Sequence, residues 1–111
     1  MNRTVWTLVI GAAIAASACA GSPKPMSKMV DAQAALRAAD EVGADKVPQG
    51  QLRMQLAREE LQRADRLLKD GENERAAGAL ERAKADAEVA IALTRQAEAQ
   101  QNLKNAQAQV P

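Results

Sequence analysis

The stretch 54–71, MQLAREELQRADRLLKDG, decides how this chain folds. Met54, Ala57, Leu61, Ala64 and Leu68 recur at alternating spacings of three and four, which places them on one face of a helix. Leu52, Leu56 and Leu67 widen that stripe, as a helix packed in a bundle requires. The opposite face carries Glu59 with Arg63 and Asp65 with Lys69 at i, i+4. Each such pair adds only about 0.2–0.5 kcal/mol, so these charges read as a solvated face. Pro48 suits the first turn of a helix and no later position, and Gly71 suits its end. The spacing therefore predicts a helix over 48–69.

Working outward, the segment before Pro48 predicts a first helix over 28–42, with Ser27 as its N-cap. Met29, Ala32, Leu36 and Ala39 form its apolar face, and Gly43 stops it. Residues 43–47 read as a connection. After Gly71, either Glu72 or Asn73 starts a third helix, with Asn73 the better cap by residue type, and the helix is predicted over 74–108. Its stripe is Ala76, Leu80, Ala83, Ala87, Ala90, Thr94 and Ala97, thickened by Val89, Ile91 and Leu93. Beyond Ala97 the sequence turns amide-rich, yet Ala99, Leu103, Ala106 and Val110 keep heptad spacing. At about 1.5 Å per residue the three helices measure roughly 22, 33 and 52 Å. Short connections make neighbours antiparallel. The expected fold is all-α: a small antiparallel three-helix bundle, or helical hairpin plus helix, whose long C-terminal helix overhangs its partners by roughly 20 Å.

The N-terminus has a different character. Arg3 is followed by the apolar residues Val5, Trp6, Leu8, Val9, Ile10 and Ile14, a run shorter than the ~20 residues of a membrane span. Ala16-Ser17-Ala18-Cys19 resembles the end of a bacterial lipoprotein signal, although leucine is commonest where Ala16 stands. That resemblance implies a signal peptide over 1–18 and a diacylglyceryl, palmitate-bearing anchor on Cys19. It also implies a lipidated N-terminus and flexible tether over 19–27, a helical domain over 28–97 and a polar extension over 98–111. The plain alternative is ordinary signal cleavage at the same small residues. Cys19 is the only cysteine, and an unpaired thiol is awkward in an oxidising compartment. Ala20 follows it, whereas an aspartate there is the usual sign of inner-membrane retention in the lipoproteins this resembles. The expected location is the periplasmic face of the outer membrane.

Composition removes several function classes. Without Arg3 the chain carries 14 basic and 14 acidic residues, and nucleic acid binding needs a basic face instead. Trp6 is the only aromatic residue, so the part after Cys19 has no stacking platform for rings or bases. There is no histidine, no tyrosine and no second cysteine. No nucleophile–base pair or zinc ligand set can be assembled from what remains, and the chain reads as a non-enzyme with no cofactor and no metal. Residues 70–74, DGENE, lack the spacing of a calcium loop.

Val47-Pro48, residues 56–61 (LAREEL), residues 70–76 (DGENERA), residues 83–87 and Ala90 carry a family likeness. Over about 31–96 the chain resembles alanine-rich bacterial lipoproteins known only as a domain of unknown function. Related domains precede peptidoglycan-binding modules of the outer-membrane-protein-A type. The turn at Gly71 also looks like a tetratricopeptide helix turn, but Asn73 stands where an aromatic is favoured. The resemblance implies a helical periplasmic lipoprotein and supplies no catalytic residues. The expected function is a non-catalytic structural or interaction protein of the envelope. It is held to the membrane through Cys19, is monomeric, and has an envelope protein or peptidoglycan as candidate partner. The alternative is an oligomeric alanine zipper similar to murein lipoprotein, against which Gly43, Pro48 and Gly71 all speak. Ala99, Leu103, Ala106 and Val110 are the candidate contact residues, the other reading of that segment being a fraying helical tail.

Overall fold

A computed structural model describes residues 21–111 of the protein. It contains α1 (Met26–Glu41), a single 3-10 turn (Ala44–Lys46), α2 (Pro48–Lys69) and α3 (Asn73–Ala108), with no strand among the described residues. The all-α class and the long C-terminal helix are as the sequence indicates.

Local chemistry sets the boundaries. Val47 is extended (φ −106°, ψ 122°), as the residue before a proline prefers, and Pro48 opens α2 where its missing N–H costs nothing. Gly43 and Gly71 both take φ of 75°, the left-handed region that a side chain disfavours. At Gly71 the chain closes a Schellman turn: Glu72 N–H donates to the Leu67 carbonyl at 2.9 Å and Gly71 N–H to that of Leu68 at 3.2 Å. At Gly43 the backbone passes into the 3-10 turn instead, through Lys46 N–H to the Gly43 carbonyl at 2.9 Å. The expected N-cap roles of Ser27 and Asn73 are corrected. Helix α1 already starts at Met26, after Pro25, with Ser27 inside its first turn; α3 starts at Asn73 itself. Proline holds a near-helical φ, here −80°, so the turn closes on the Pro25 carbonyl before Ser27 is reached.

Helix α3 is the centre of the domain. Both α1 and α2 pack along it, and they touch each other far less than either touches α3. One core cluster joins Ala32 of α1, Ala64 and Leu67 of α2, and Ala76, Ala79, Leu80 and Ala83 of α3. The next joins Leu36 and Ala39, Ala44 of the 3-10 turn, Met54 and Ala57, and Ala87 and Ala90. Leu61 is half-buried and packs against both. The stripes read from sequence are the packed faces, although Met29, Leu61 and Ala97 are only half-buried. Three further positions differ. Leu67 is buried while Leu68 is only half-buried. Leu52 is 57% exposed and Val89 39% exposed, because each lies roughly 130–140° round its helix from the buried stripe. The expected Glu59–Arg63 pair is not made: Glu59 accepts from Gln55 at 3.0 Å, and Arg63 lies 4.0 Å from Glu60. Asp65–Lys69 is made, at 2.9 Å.

With alanine at most contact positions the helices approach closely, and the approach is tightest where α2 begins. A Cβ on Gly50 would lie 2.6 Å from the Ala44 carbonyl oxygen and 3.2 Å from Thr94 Oγ1. Thr94 is itself buried and donates its hydroxyl to the Ala90 carbonyl at 2.8 Å, so its polar group is satisfied within α3. Gly50 thus lets three backbone segments meet at one point. Gly50→Ala is expected to destabilise the domain by about 1–3 kcal/mol through overpacking against a backbone atom that cannot rotate away. Chemical denaturation monitored by helical circular dichroism measures this, and unchanged stability would show that α2 is not seated as described.

Candidate functional site

Cys19 lies outside the described residues. The nearest described part of the tether is held in place. Ser22 Oγ donates to Glu74 Oε1 at 2.8 Å, and Asn73 Nδ2 donates to the Ser22 carbonyl. Asn73 Oδ1 is buried without a partner among the described residues. Within the segment 19–27 expected to be a tether, Ser22 is clasped to the first turn of α3. The side chain expected to cap α3 binds the incoming chain instead. A shallow recess at this end is bordered by Ser22, Gly71, Glu72, Asn73, Glu74 and Arg75. An open groove between α1 and α2 is bordered by Met29, Gln33, Leu61, Gln62, Asp65 and Arg66. Neither is an enclosed cavity of the kind that buries a small ligand.

Ion pairs bind the helices to one another across the surface. Arg53 meets Asp86 at 2.9 Å and Arg82 meets Glu60 at 3.3 Å, both between α2 and α3. Arg58 joins α2 to Asp40 of α1 at 2.8 Å and to Asp45 at 3.3 Å. Hydrogen bonding to Asp45 is the largest influence raising the Arg58 pKa above its ordinary value, so Arg58 stays charged at every accessible pH. Lys28 of α1 pairs with Glu81 of α3, and that hydrogen bond holds the Glu81 carboxyl below its ordinary range. A lowered folded pKa means this pair supports the fold above the ordinary glutamate range and ceases to as pH falls through the lowered value. Each pair has an exposed basic partner, and only the Asp86 and Glu60 carboxylates are half-buried, a surface setting in which each pair is worth about 0–1 kcal/mol. Among the described residues no group of three or more His, Cys, Asp or Glu is placed to hold a metal ion, and no helix is long and apolar enough to cross a membrane.

Three of the four contact candidates, Ala99, Leu103 and Ala106, lie on one side of α3, and Val110 lies beyond its end at Ala108. Ala99, Leu103, Ala106 and Val110 are all exposed, Leu103 at 59% and Val110 at 73%. Every residue from 98 onward is exposed, and Thr94 is the last buried one. At about 100° per residue Ala99, Leu103 and Ala106 lie roughly 150° round α3 from the buried stripe that ends at Thr94. They do not prolong the core face past its neighbours; they belong to the back of the helix. Sequence spacing alone misses Ser22 and Asn73, because a contact across some 50 residues has no periodic signature. Gly50 was legible only as a glycine within a helix.

The chain belongs to the family described as Domain of unknown function (DUF4398), whose model matches residues 27–106. The match spans all three helices and continues through most of the overhang, taking in Ala99, Leu103 and Ala106. No curated protein and no solved structure is matched.

Asn73→Ala is expected to leave the helix content intact while releasing Ser22. The backbone 15N order parameters of Ser22 and Lys24 should fall, with those in the centre of α3 unchanged. Equal order parameters in variant and parent would show that the clasp does not hold the tether.

Proposed function

We propose that the protein is a lipid-anchored, non-catalytic interaction protein of the bacterial envelope, held by Cys19 at the periplasmic face of an outer membrane. The observation that carries this reading is the placement of the single cysteine, directly after a short apolar run and Ala16-Ser17-Ala18. Diacylglycerol in thioether linkage uses the one thiol that would otherwise stand unpaired in an oxidising compartment. Only Ala20 and Gly21 separate Cys19 from the clasped Ser22, a reach of at most about 11 Å for an extended chain. A lipid on Cys19 then places the α2–α3 turn beside the membrane surface. Ala20 supports the outer membrane over the inner one by its likeness to the lipoprotein sorting position. The resemblance to domains that accompany peptidoglycan-binding modules supports a partner in the cell wall or another envelope protein.

The non-catalytic part of the reading rests on residue types. After Cys19 the only side-chain hydroxyls are those of Ser22, Ser27 and Thr94. Ser22 bonds to Glu74, Ser27 lies in the first turn of α1 and Thr94 bonds within α3. Only Ser22 has a base beside it, the exposed Glu74 carboxylate, and no third group orients that pair as an activated nucleophile requires. The alternative, an alanine zipper similar to murein lipoprotein, does not keep its single-rod form, because Gly43 and Gly71 break the chain into three helices. What it retains is the capacity of α3 to meet another helix.

Cys19→Ala tests the reading. The variant is expected to lose the lipid-dependent mature mass and to accumulate as an uncleaved precursor or a soluble form. Recovery of the variant in the detergent-extracted membrane fraction at unchanged mature mass would overturn lipidation at Cys19.

A further inference from the structure

The face of α1 turned away from the core changes character along the helix. Met26 and Val30 stand one turn apart and are 56% and 58% exposed, with the half-buried Met29 beside them. At about 100° per residue the three fall within an arc of roughly 100°. Met26 and Val30 lie roughly 110–150° round α1 from the buried Ala32, Leu36 and Ala39. Lys28 and Asp31 lie outside the arc, Gln33 continues it without charge, and the first charged residue on it is Arg37. The start of α1 is therefore an uncharged apolar tip, and the open groove bordered by Met29 and Leu61 runs beside it.

We propose that this tip, Met26 with Met29 and Val30, seats in the surface of the lipid bilayer, so that the domain meets the membrane along the start of α1. The proposal rests on the lipid anchor at Cys19. Three observations select lipid as the occupant. The first is the length of chain leading to the anchor. Ser22 is clasped to the first turn of α3, and Cys19 is at most about 11 Å beyond it. Only Pro23, Lys24 and Pro25 part Ser22 from Met26, a reach of at most about 14 Å. An acyl chain on Cys19 thus enters the bilayer within about 25 Å of Met26 in every conformation of the tether.

The second observation is area. Two exposed side chains and one half-buried one fall far short of the ~800 Å² per partner that a stable protein interface buries. A contact beside its own anchor needs no such area, because the tether supplies a high effective concentration. The third is charge. This end of the domain carries Lys24, Lys69 and Arg75 beside Asp70, Glu72 and Glu74, a mixed set with no field of one sign to select a charged macromolecule. What it offers is apolar surface of the kind that enters the boundary between headgroups and acyl chains. Arg37 and Asp40 return the same face to water, which confines the seating to the anchored end.

Depth-dependent quenching tests the seating. The full chain is purified from membranes, its mass is read for lipid on Cys19, and it is placed in vesicles of phosphatidylethanolamine and phosphatidylglycerol containing nitroxide-labelled lipid. A fluorophore on Gln33→Cys reports from the proposed face. The same fluorophore on Ala85→Cys reports from the far side of α3 at a similar height, since Ala32 packs with Ala83 and Leu36 with Ala87. In the lipidated chain, quenching at residue 33 should exceed that at residue 85 by roughly threefold or more. Met26→Gln with Val30→Gln should bring residue 33 down to the level of residue 85, with lipid mass and helix content unchanged. If the double variant loses helix, Val30→Gln alone serves in its place, with the same direction of change. Quenching at residue 33 that survives substitution would overturn the assignment to these side chains. Equal quenching at the two sites in a lipidated chain would overturn the seating and leave the anchor standing; shielding of Gln33→Cys from a thiol reagent in intact cells would then give the tip to a protein. A mass without lipid would overturn the anchor, and the seating with it.

Discussion

Close approach of small side chains along α3 is the constraint on which the domain depends. Ala76, Ala83, Ala87 and Ala90 leave the α3 surface shallow, so α1 and α2 can press their own alanines against it. Little area is buried per residue at ~25 cal/mol per Å², and the stabilisation comes from many short contacts instead of a few large ones. Met54, Leu80 and Thr94 are the largest fully buried side chains. A core of this kind tolerates no added atom at its narrowest point, which is why Gly50 is placed where Ala44, α2 and α3 converge.

The same constraint explains why so much of the fold is legible in the sequence. Alanine and leucine at three-four spacing mark each buried face directly, and the breaks at Gly43, Pro48 and Gly71 are fixed by backbone sterics. The positions that mislead are Leu52 and Val89, apolar residues lying away from the stripe; their side chains say that they avoid water, and only their angle on the helix says that they do not reach the core. Ser27 and Asn73 mislead for a different reason. Capping propensity is a local preference, whereas Pro25 starts α1 earlier and the chain is already helical at Asn73, with Glu72 in the N-cap position.

Function is less legible, because the chain carries its chemistry in placement and not in reactive groups. Cys19 is notable for what precedes it and Ser22 for what clasps it. The distal residues Ala99, Leu103, Ala106 and Val110 are weak in isolation, with one leucine among small side chains, and all four are exposed. The family match, which continues to Ala106, includes most of this overhang within the shared domain.

The account divides α3 into a part packed against α1 and α2 and an overhang exposed on every side. Amide hydrogen exchange resolved along α3 tests that division most directly. Residues 76–94 should be strongly protected, and residues 98–108 should exchange rapidly. Equal protection from residue 76 to residue 108, or a segment 76–94 no better protected than the overhang, would contradict it.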